Sequence, residues 1–216
     1  MAIDAEFSGK EQEAKELYTQ IVTQFAAAPA ATTAKGAVTR IDCVGKVLPL
    51  VSKTITGEKF DLSAYRGKTV LLHYWATNSP VALTDLAALK DIQAKYAREN
   101  VVVVGISLDD DRSRLTAFLT REELPWTTLF SDDAEATGWK HPLASRYGVM
   151  SIPRGVLIDR KGTVISLDAH GDALWDLLAK EIGPAEVKKP EAEKPAVEVK
   201  PEEKKQAAEP KPAAAR

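Results

Sequence analysis

The chain has 216 residues, with 29 basic and 31 acidic side chains and a formal net charge of −2. This near balance excludes a strong whole-chain attraction to nucleic acids or to anionic membranes, so we predict no nucleic-acid partner. No stretch approaches the roughly 18 apolar residues that a membrane-spanning helix needs, so we predict no membrane span.

Residues 1–45 show the periodicity of two amphipathic helices, which predicts a helical hairpin and a connector. The recurring apolar residues are Ala14, Leu17, Tyr18, Ile21 and Phe25, then, after Pro29, Ala34, Ala37, Val38 and Ile41. The pattern resembles the end of a tetratricopeptide-like array. Because a lone hairpin cannot bury both faces, it either packs on the next domain or ends a longer array.

The first ten residues lack the basic and apolar regions of a signal peptide. We therefore expect either a cytosolic protein or a piece of a longer one. We favour the piece, because repeats of this kind need neighbours.

From residue 48 the pattern becomes that of an alternating α/β domain. The nearly continuous apolar runs predict central strands that are covered on both faces. The order of the elements predicts an α/β sandwich with a central mixed sheet and helices on both faces. This order is strand, helix, strand, helix, then a hairpin and a last helix. The predicted strands or extended segments are 48–52, 54–60, 69–76, 101–108, 126–130, 156–159 and 164–167, and the predicted helices are 80–98, 112–123 and 172–182.

Residues 184–216 consist of Lys, Arg, Glu, Gln, Pro, Ala and Val. Recurrent prolines interrupt any helix, and no large apolar side chain is present to build a core. We predict a disordered C-terminal tail, with a tether to a partner as the alternative.

The end of the first long strand carries the most informative motif. Residues 70–82 resemble the strand-to-helix junction of TlpA-like thiol-disulfide oxidoreductases of the thioredoxin superfamily, which read roughly W-A-T-W-C-x-P-C. Trp75, Ala76 and Thr77 match this pattern, whereas Asn78, Ser79 and Ala82 depart from it. The resemblance covers about residues 47–183 and implies a thioredoxin-like sandwich.

The departure removes both cysteines of the motif. Redox exchange needs a thiolate at the first position and a second thiol one turn further on, where this chain has Ser79 and Ala82. Serine followed by proline is a favoured helix start, so we predict that Ser79 caps the helix. As a nucleophile Ser79 would need a base, and none of His73, His141 and His170 lies in a local motif that would supply one.

Two further expectations come from the resemblance. Residues 147–153, Y-G-V-M-S-I-P, match the family stretch Y-x-V-x-x-x-P, which implies a cis peptide bond at Pro153. Asp85 stands where the family often has a glutamate that assists proton transfer. Without a thiol nearby, we interpret Asp85 as a helix residue stabilised by the positive end of the helix.

A second resemblance involves residues 154–159, R-G-V-L-I-D, which are similar to the R-G-x-F-x-I-D strand of peroxiredoxins. The arginine of that strand helps to activate a peroxidatic cysteine, so Arg154 is a candidate anion or substrate contact. The peroxidatic cysteine itself has no counterpart, because Thr77 is followed by Asn78, Ser79 and Pro80. The alternative is that Arg154 forms a surface ion pair.

Cys43 is the single cysteine, so no intrachain disulfide can form. We interpret it as an unreactive small apolar side chain, with a reactive thiol as the alternative. His73, inside the apolar strand, is predicted to be buried with a hydrogen-bond partner. No Cys/His spacing indicates a zinc site and no glycine-rich phosphate loop is present, so we predict no metal and no cofactor.

We predict a helical hairpin at 1–45, a thioredoxin-like domain at 46–183 and a tail at 184–216. The favoured function is a redox-inactive module that binds a protein or peptide partner in the groove between the helix start and Pro153. The alternatives are a thiol-disulfide oxidoreductase or peroxiredoxin-like protein that uses Cys43 or a partner thiol, and a structural module that closes a repeat array. The resemblance implies a periplasmic or other extracytoplasmic location. The candidate groove residues are Trp75, Asn78, Ser79, Pro80, Ile152, Pro153 and Arg154.

Overall fold

The computed structural model describes residues 1–183, and the predicted disordered tail lies outside them. The strands are β1 (Val51–Lys53), β2 (Lys59–Asp61), β3 (Thr69–Trp75), β4 (Val101–Ser107), β5 (Thr127–Leu129), β6 (Arg154–Ile158) and β7 (Val164–Ser166). The α-helices are α1 (Ala2–Phe7), α2 (Glu11–Gln24), α3 (Pro29–Ile41), α4 (Pro80–Lys95), α5 (Arg112–Glu122), α6 (Pro142–Arg146) and α7 (Gly171–Ile182).

Five strands form the main sheet in the order β5-β4-β3-β6-β7. Strand β3 runs parallel to β4 and antiparallel to β6, and all seven of its residues are buried. This arrangement confirms the predicted mixed sheet and the central position of the 69–76 strand. A separate antiparallel pair, β1–β2, meets the free edge of β5 through a bridge between Thr54 and Leu129.

Helices cover both faces of the main sheet, as predicted. Alternate residues of β3 separate the two cores: Leu71 and Trp75 pack with α4, α5 and α7, whereas Val70, Leu72 and Tyr74 pack with the N-terminal helices and α6. We call these the α4 face and the α1–α3 face. The N-terminal helices therefore pack on the sheet domain, which was the first of the two arrangements considered for the hairpin.

Helix α3 docks through a backbone contact that requires two glycines. A Cβ atom at Gly36 would lie 2.4 Å from the backbone nitrogen of Gly148, and one at Gly148 would lie 2.3 Å from the nitrogen of Ala37. Beside this contact, the Nη1 atom of Arg40 donates to the carbonyl oxygens of Tyr147 and Gly148 at 2.5 and 2.6 Å. The helix is thus fixed to the loop that leads to Pro153.

Two helices were not predicted. In α1 the buried residues are Ala2 and Ala5, which give no recognisable apolar stripe. Helix α6 has only five residues. The predicted boundary between residues 45 and 46 stays a prediction, because α1–α3 share one hydrophobic core with the sheet.

No helix within residues 1–183 combines the length and the apolar character that crossing a bilayer demands. In the same part of the chain, no cluster of three or more His, Cys, Asp or Glu side chains is arranged to hold a metal ion.

Candidate functional site

The junction between β3 and α4 has the geometry of a capped helix start. The Oγ atom of Ser79 accepts a hydrogen bond from the backbone N–H of Ala82 at 3.3 Å, and Pro80 occupies the first helical position. Such a cap satisfies one of the unpaired N–H groups of the first turn. The predicted capping role of Ser79 is confirmed. Ala82 is fully buried, whereas Val81 is 65% exposed.

A buried carboxylate that the sequence analysis missed orients this junction. Asp109, which is 1% exposed, accepts hydrogen bonds from the backbone N–H of Thr77 at 3.1 Å, from the Thr77 hydroxyl, and from the Ser107 hydroxyl at 2.7 Å. It lies two residues after the end of β4 and so at the sheet edge where the parallel strand β3 also ends. An aspartate at the end of a buried apolar strand is the sequence signal that could have indicated this role.

The cis bond at Pro153 is present, between Ile152 and Pro153. Because Tyr74 pairs with Arg154, continuing the antiparallel register places Pro153 opposite Trp75 and Ile152 opposite Ala76. Pro153 thus flanks the end of β3, from which the chain turns into α4. Ile152 and Pro153 are both partly exposed.

The backbone groups of the three residues before Pro153 are available for hydrogen bonding. Among the described residues, no hydrogen bond engages the backbone N–H or C=O of Met150, Ser151 or Ile152. The three residues are partly exposed, so the surface admits a partner at this point. An extended peptide could pair with the same groups.

Trp75, one of the candidate groove residues, is not accessible to a partner. Its side chain is fully buried on the α4 face, with its ring centroid 5.4 Å from that of Phe118. Trp75 is therefore a core residue, because the strand that carries it is covered on both faces. The other candidates at this junction, Asn78, Ser79 and Pro80, are at least partly exposed.

Arg154 also differs from expectation, because its ion pair is buried and not on the surface. Its side chain is 6% exposed and its Nη1 atom lies 3.1 Å from Oε1 of Glu6 in α1. The same atom donates to the carbonyl oxygen of Leu167 at 3.2 Å. Arg154 lies on the α1–α3 face, so it does not line the groove beside α4 in this structure.

Cys43 is not brought together with Ser79 and Pro153. It follows α3, and its Sγ atom donates to the carbonyl oxygen of Thr39 at 3.1 Å. It lines a small cavity of about 10 Å³ in the middle of the α1–α3 face, together with Leu72, Tyr74 and Val164. Burial raises the pKa of the Cys43 thiol, which favours the unreactive protonated form.

On the α4 face, His73 and Asp85 line another cavity of about 10 Å³. His73 is buried as predicted, but its Nε2 atom has no partner among the described residues. Asp85 lies in the second turn of α4, not at its positive end, and burial raises its pKa, while His170 has a smaller opposing effect. Our interpretation of Asp85 as a residue stabilised by the helix start was therefore wrong.

His73 should make stability depend on pH. Burial lowers the pKa of His73 to about 3, below the value of about 6.5 in an unfolded chain. The unfolded state thus binds the proton first, so the free energy of unfolding should fall as the pH drops from about 6.5 towards 3, by up to about 1.4 kcal/mol per unit. In His73→Leu we expect this part of the slope to disappear in urea titrations between pH 7 and 4.

The wild type, titrated in parallel, is the reference for this slope. Parallel slopes for the wild type and His73→Leu would contradict the assignment to His73.

Comparison with known proteins agrees with this geometry. The family model described as Redoxin matches residues 27–174. The chain is 30% identical to the thioredoxin-like protein YneN of Bacillus subtilis over 52% of this chain and 62% of that protein. It is 32% identical to the chloroplastic peroxiredoxin Q of Triticum aestivum over 65% of this chain and 66% of that protein. The chain therefore spans less than two thirds of the length of YneN.

Among solved structures, a thiol-disulfide oxidoreductase from Bacteroides fragilis superimposes with a TM-score of 0.54 and 26% identity. The match covers 62% of this chain and 97% of that one. The matched family segment includes the β3–α4 junction, the cis-proline loop and the whole five-stranded sheet. On this evidence the chain belongs to the redoxin family of the thioredoxin superfamily.

Proposed function

We propose that this redoxin-family chain is a redox-inactive module that binds an extended segment of a protein partner beside α4. The observation that carries the proposal is the state of the junction: no sulfur stands at positions 79 and 82, and the Ser79 hydroxyl is engaged in capping. Disulfide exchange needs a thiolate that attacks and a thiol that resolves.

The open backbone of Met150, Ser151 and Ile152 supports a binding role. An extended peptide that pairs with these groups gains main-chain hydrogen bonds as in strand addition, and neighbouring side chains supply specificity. The exposed Val81 in the first turn of α4 offers an apolar contact at the helix side of the groove. As part of the proposal, we keep the extracytoplasmic location that the resemblance implies.

Cysteine installation tests the redox half of the proposal. We expect dithiothreitol to reduce insulin disulfides no faster with the wild-type chain than without it. The variant Ser79→Cys/Ala82→Cys should accelerate the reaction, because the helix start that stabilises a thiolate is in place. Wild-type activity that Cys43→Ser abolishes would favour the oxidoreductase alternative instead.

Peptide selection tests the binding half. Peptides selected on the full chain from a displayed random library should shift backbone NMR signals of residues 150–153. Val81→Asp should weaken their binding by about tenfold, which corresponds to about 1.4 kcal/mol. Val51→Asp is the matched control, since Val51 is 56% exposed on β1 and should not affect binding. Signal changes confined to α1–α3 would favour the scaffold alternative.

A further inference from the structure

A second site lies on the α1–α3 face, away from the groove beside α4. Two arginines from distant parts of the chain, Arg40 of α3 and Arg154 of β6, converge there on the carboxylate of Glu6 in α1. The Oε1 atom of Glu6 lies 2.5 Å from Nη2 of Arg40 and 3.1 Å from Nη1 of Arg154, and the Tyr18 hydroxyl donates to Oε2 at 2.9 Å. The side chains of the three charged residues are between 3% and 9% exposed.

Both arginines also have hydrogen-bond partners outside α1. Arg40 donates to the carbonyl oxygens of Tyr147 and Gly148, and Arg154 donates to that of Leu167. These bonds position both guanidinium groups independently of the Glu6 side chain.

Charge and hydrogen bonding at this site are not balanced by Glu6 alone. Two guanidinium groups face a single carboxylate, and the Nε atoms of Arg40 and Arg154 have no acceptor among the described residues. Burial, and next the charge of Arg40, lower the pKa of Arg154, and the negative charges of Glu6 and Asp168 oppose this shift. Buried charges that lack partners are costly, so a carboxylate at this position is strongly favoured.

Helix α1, which delivers Glu6, has few other anchors. Besides Glu6, its buried residues are Ala2 and Ala5, whereas Ile3 and Phe7 are 43% and 62% exposed. Apolar burial by two alanines contributes little compared with a larger side chain. The ion pairs of Glu6 are therefore a principal link between α1 and the rest of the fold, beside the Phe7 ring, whose centroid lies 5.9 Å from the Arg154 guanidinium.

We propose that Arg40 and Arg154 form a binding site for a carboxylate group, which Glu6 occupies in cis and which a free carboxylic acid or an acidic peptide side chain occupies when α1 withdraws. Planar guanidinium groups match the geometry of carboxylates, which specifies this ligand class. The site lies on the sheet face opposite α4 and uses guanidinium side chains, whereas the proposed peptide pairs with the backbone of residues 150–152.

The test uses the full chain with Glu6→Ala, which leaves a space that acetate can fill. We expect the thermal midpoint to fall by roughly 10 °C because two buried guanidinium charges lose their carboxylate. Sodium acetate at about 0.1 M, with ionic strength held constant by sodium chloride, should then raise the midpoint in a saturable way. The wild type should show no such response.

Three controls sharpen the test. Acetamide, a neutral analogue of acetate, should not rescue Glu6→Ala, and the double variant Glu6→Ala/Arg154→Met should not respond to acetate. Glu13→Ala should leave the midpoint nearly unchanged, because Glu13 forms its ion pair with Lys10 at the exposed surface. If Glu6→Ala is unfolded without additive, acetate-dependent refolding measured by circular dichroism replaces the midpoint shift.

A second titration distinguishes a free carboxylic acid from an acidic peptide side chain as the ligand. A capped peptide with the sequence A-I-D-A-E-F, tested against A-I-D-A-Q-F, should rescue at lower concentration than acetate if the site takes acidic peptides. Equal rescue by acetate and peptide would assign free acids. No difference between acetate and chloride, together with no effect of either peptide, would overturn the carboxylate site and would leave the peptide groove untouched.

Discussion

Replacing Gly148 with alanine is expected to lower the free energy of unfolding by about 4 kcal/mol, one of the largest effects that a single methyl group can have. The new Cβ atom would lie 2.3 Å from the nitrogen of Ala37 and 2.4 Å from the carbonyl oxygen of Thr33, both backbone atoms of α3. Because the clashing atoms belong to the backbone of α3, the clash can be relieved only if the whole helix moves. Its displacement would also break the bonds from Arg40 to the 147–148 carbonyls.

Gly171→Ala is a matched control for backbone strain. Its φ angle of +53° is almost that of Gly148, +54°, but no atom lies within 4 Å of its added Cβ. It should therefore show only the cost of a left-handed conformation, about 1–2 kcal/mol. Urea denaturation of both variants measures the difference. Equal losses would mean that the contact between α3 and the loop is looser than the structure indicates.

The parts of this fold that the sequence predicts are those whose signals are local. The runs that become β3 and β4 are almost continuously apolar, and the Ser79-Pro80 pair marks the start of α4 without any tertiary information. The motif at residues 147–153 similarly located the cis-proline loop. In each case the sequence signal lies within the same few residues that form the structural element.

What could not be predicted depends on contacts between distant residues. Glu6 and Arg40 are 34 positions apart, and nothing in either segment distinguishes their pairing from that of many other charges. Trp75 was placed in the groove because the motif contains it, yet a strand buried on both faces exposes none of its side chains. The surface ion pair considered for Arg154 is likewise not found, because Arg154 is covered by α1. This short helix has no recognisable apolar stripe, so the sequence does not indicate it.

The candidate site shows the same limit through Asp109. Truncation of this side chain is also expected to have a large effect. Asp109→Ala removes the acceptor for the backbone N–H of Thr77 and for the hydroxyls of Thr77 and Ser107. Leaving such groups without partners should lower the free energy of unfolding by about 3 kcal/mol. The turn between β3 and α4 would lose its orientation, so the NMR signals of Ser79 and Ala82 should shift even in the folded population.

The neighbouring Asp110 supplies the control, because it is exposed and pairs with Arg114 at 2.6 Å on the surface of α5. Asp110→Ala should cost no more than about 0.5 kcal/mol and should leave the signals of α4 unchanged. Chemical denaturation and NMR of the two single variants separate the roles. If both aspartates behave alike, the start of α4 is fixed by the Ser79 cap and the packing of Ala82 rather than by the buried carboxylate, and the groove beside it owes its shape to the helix alone.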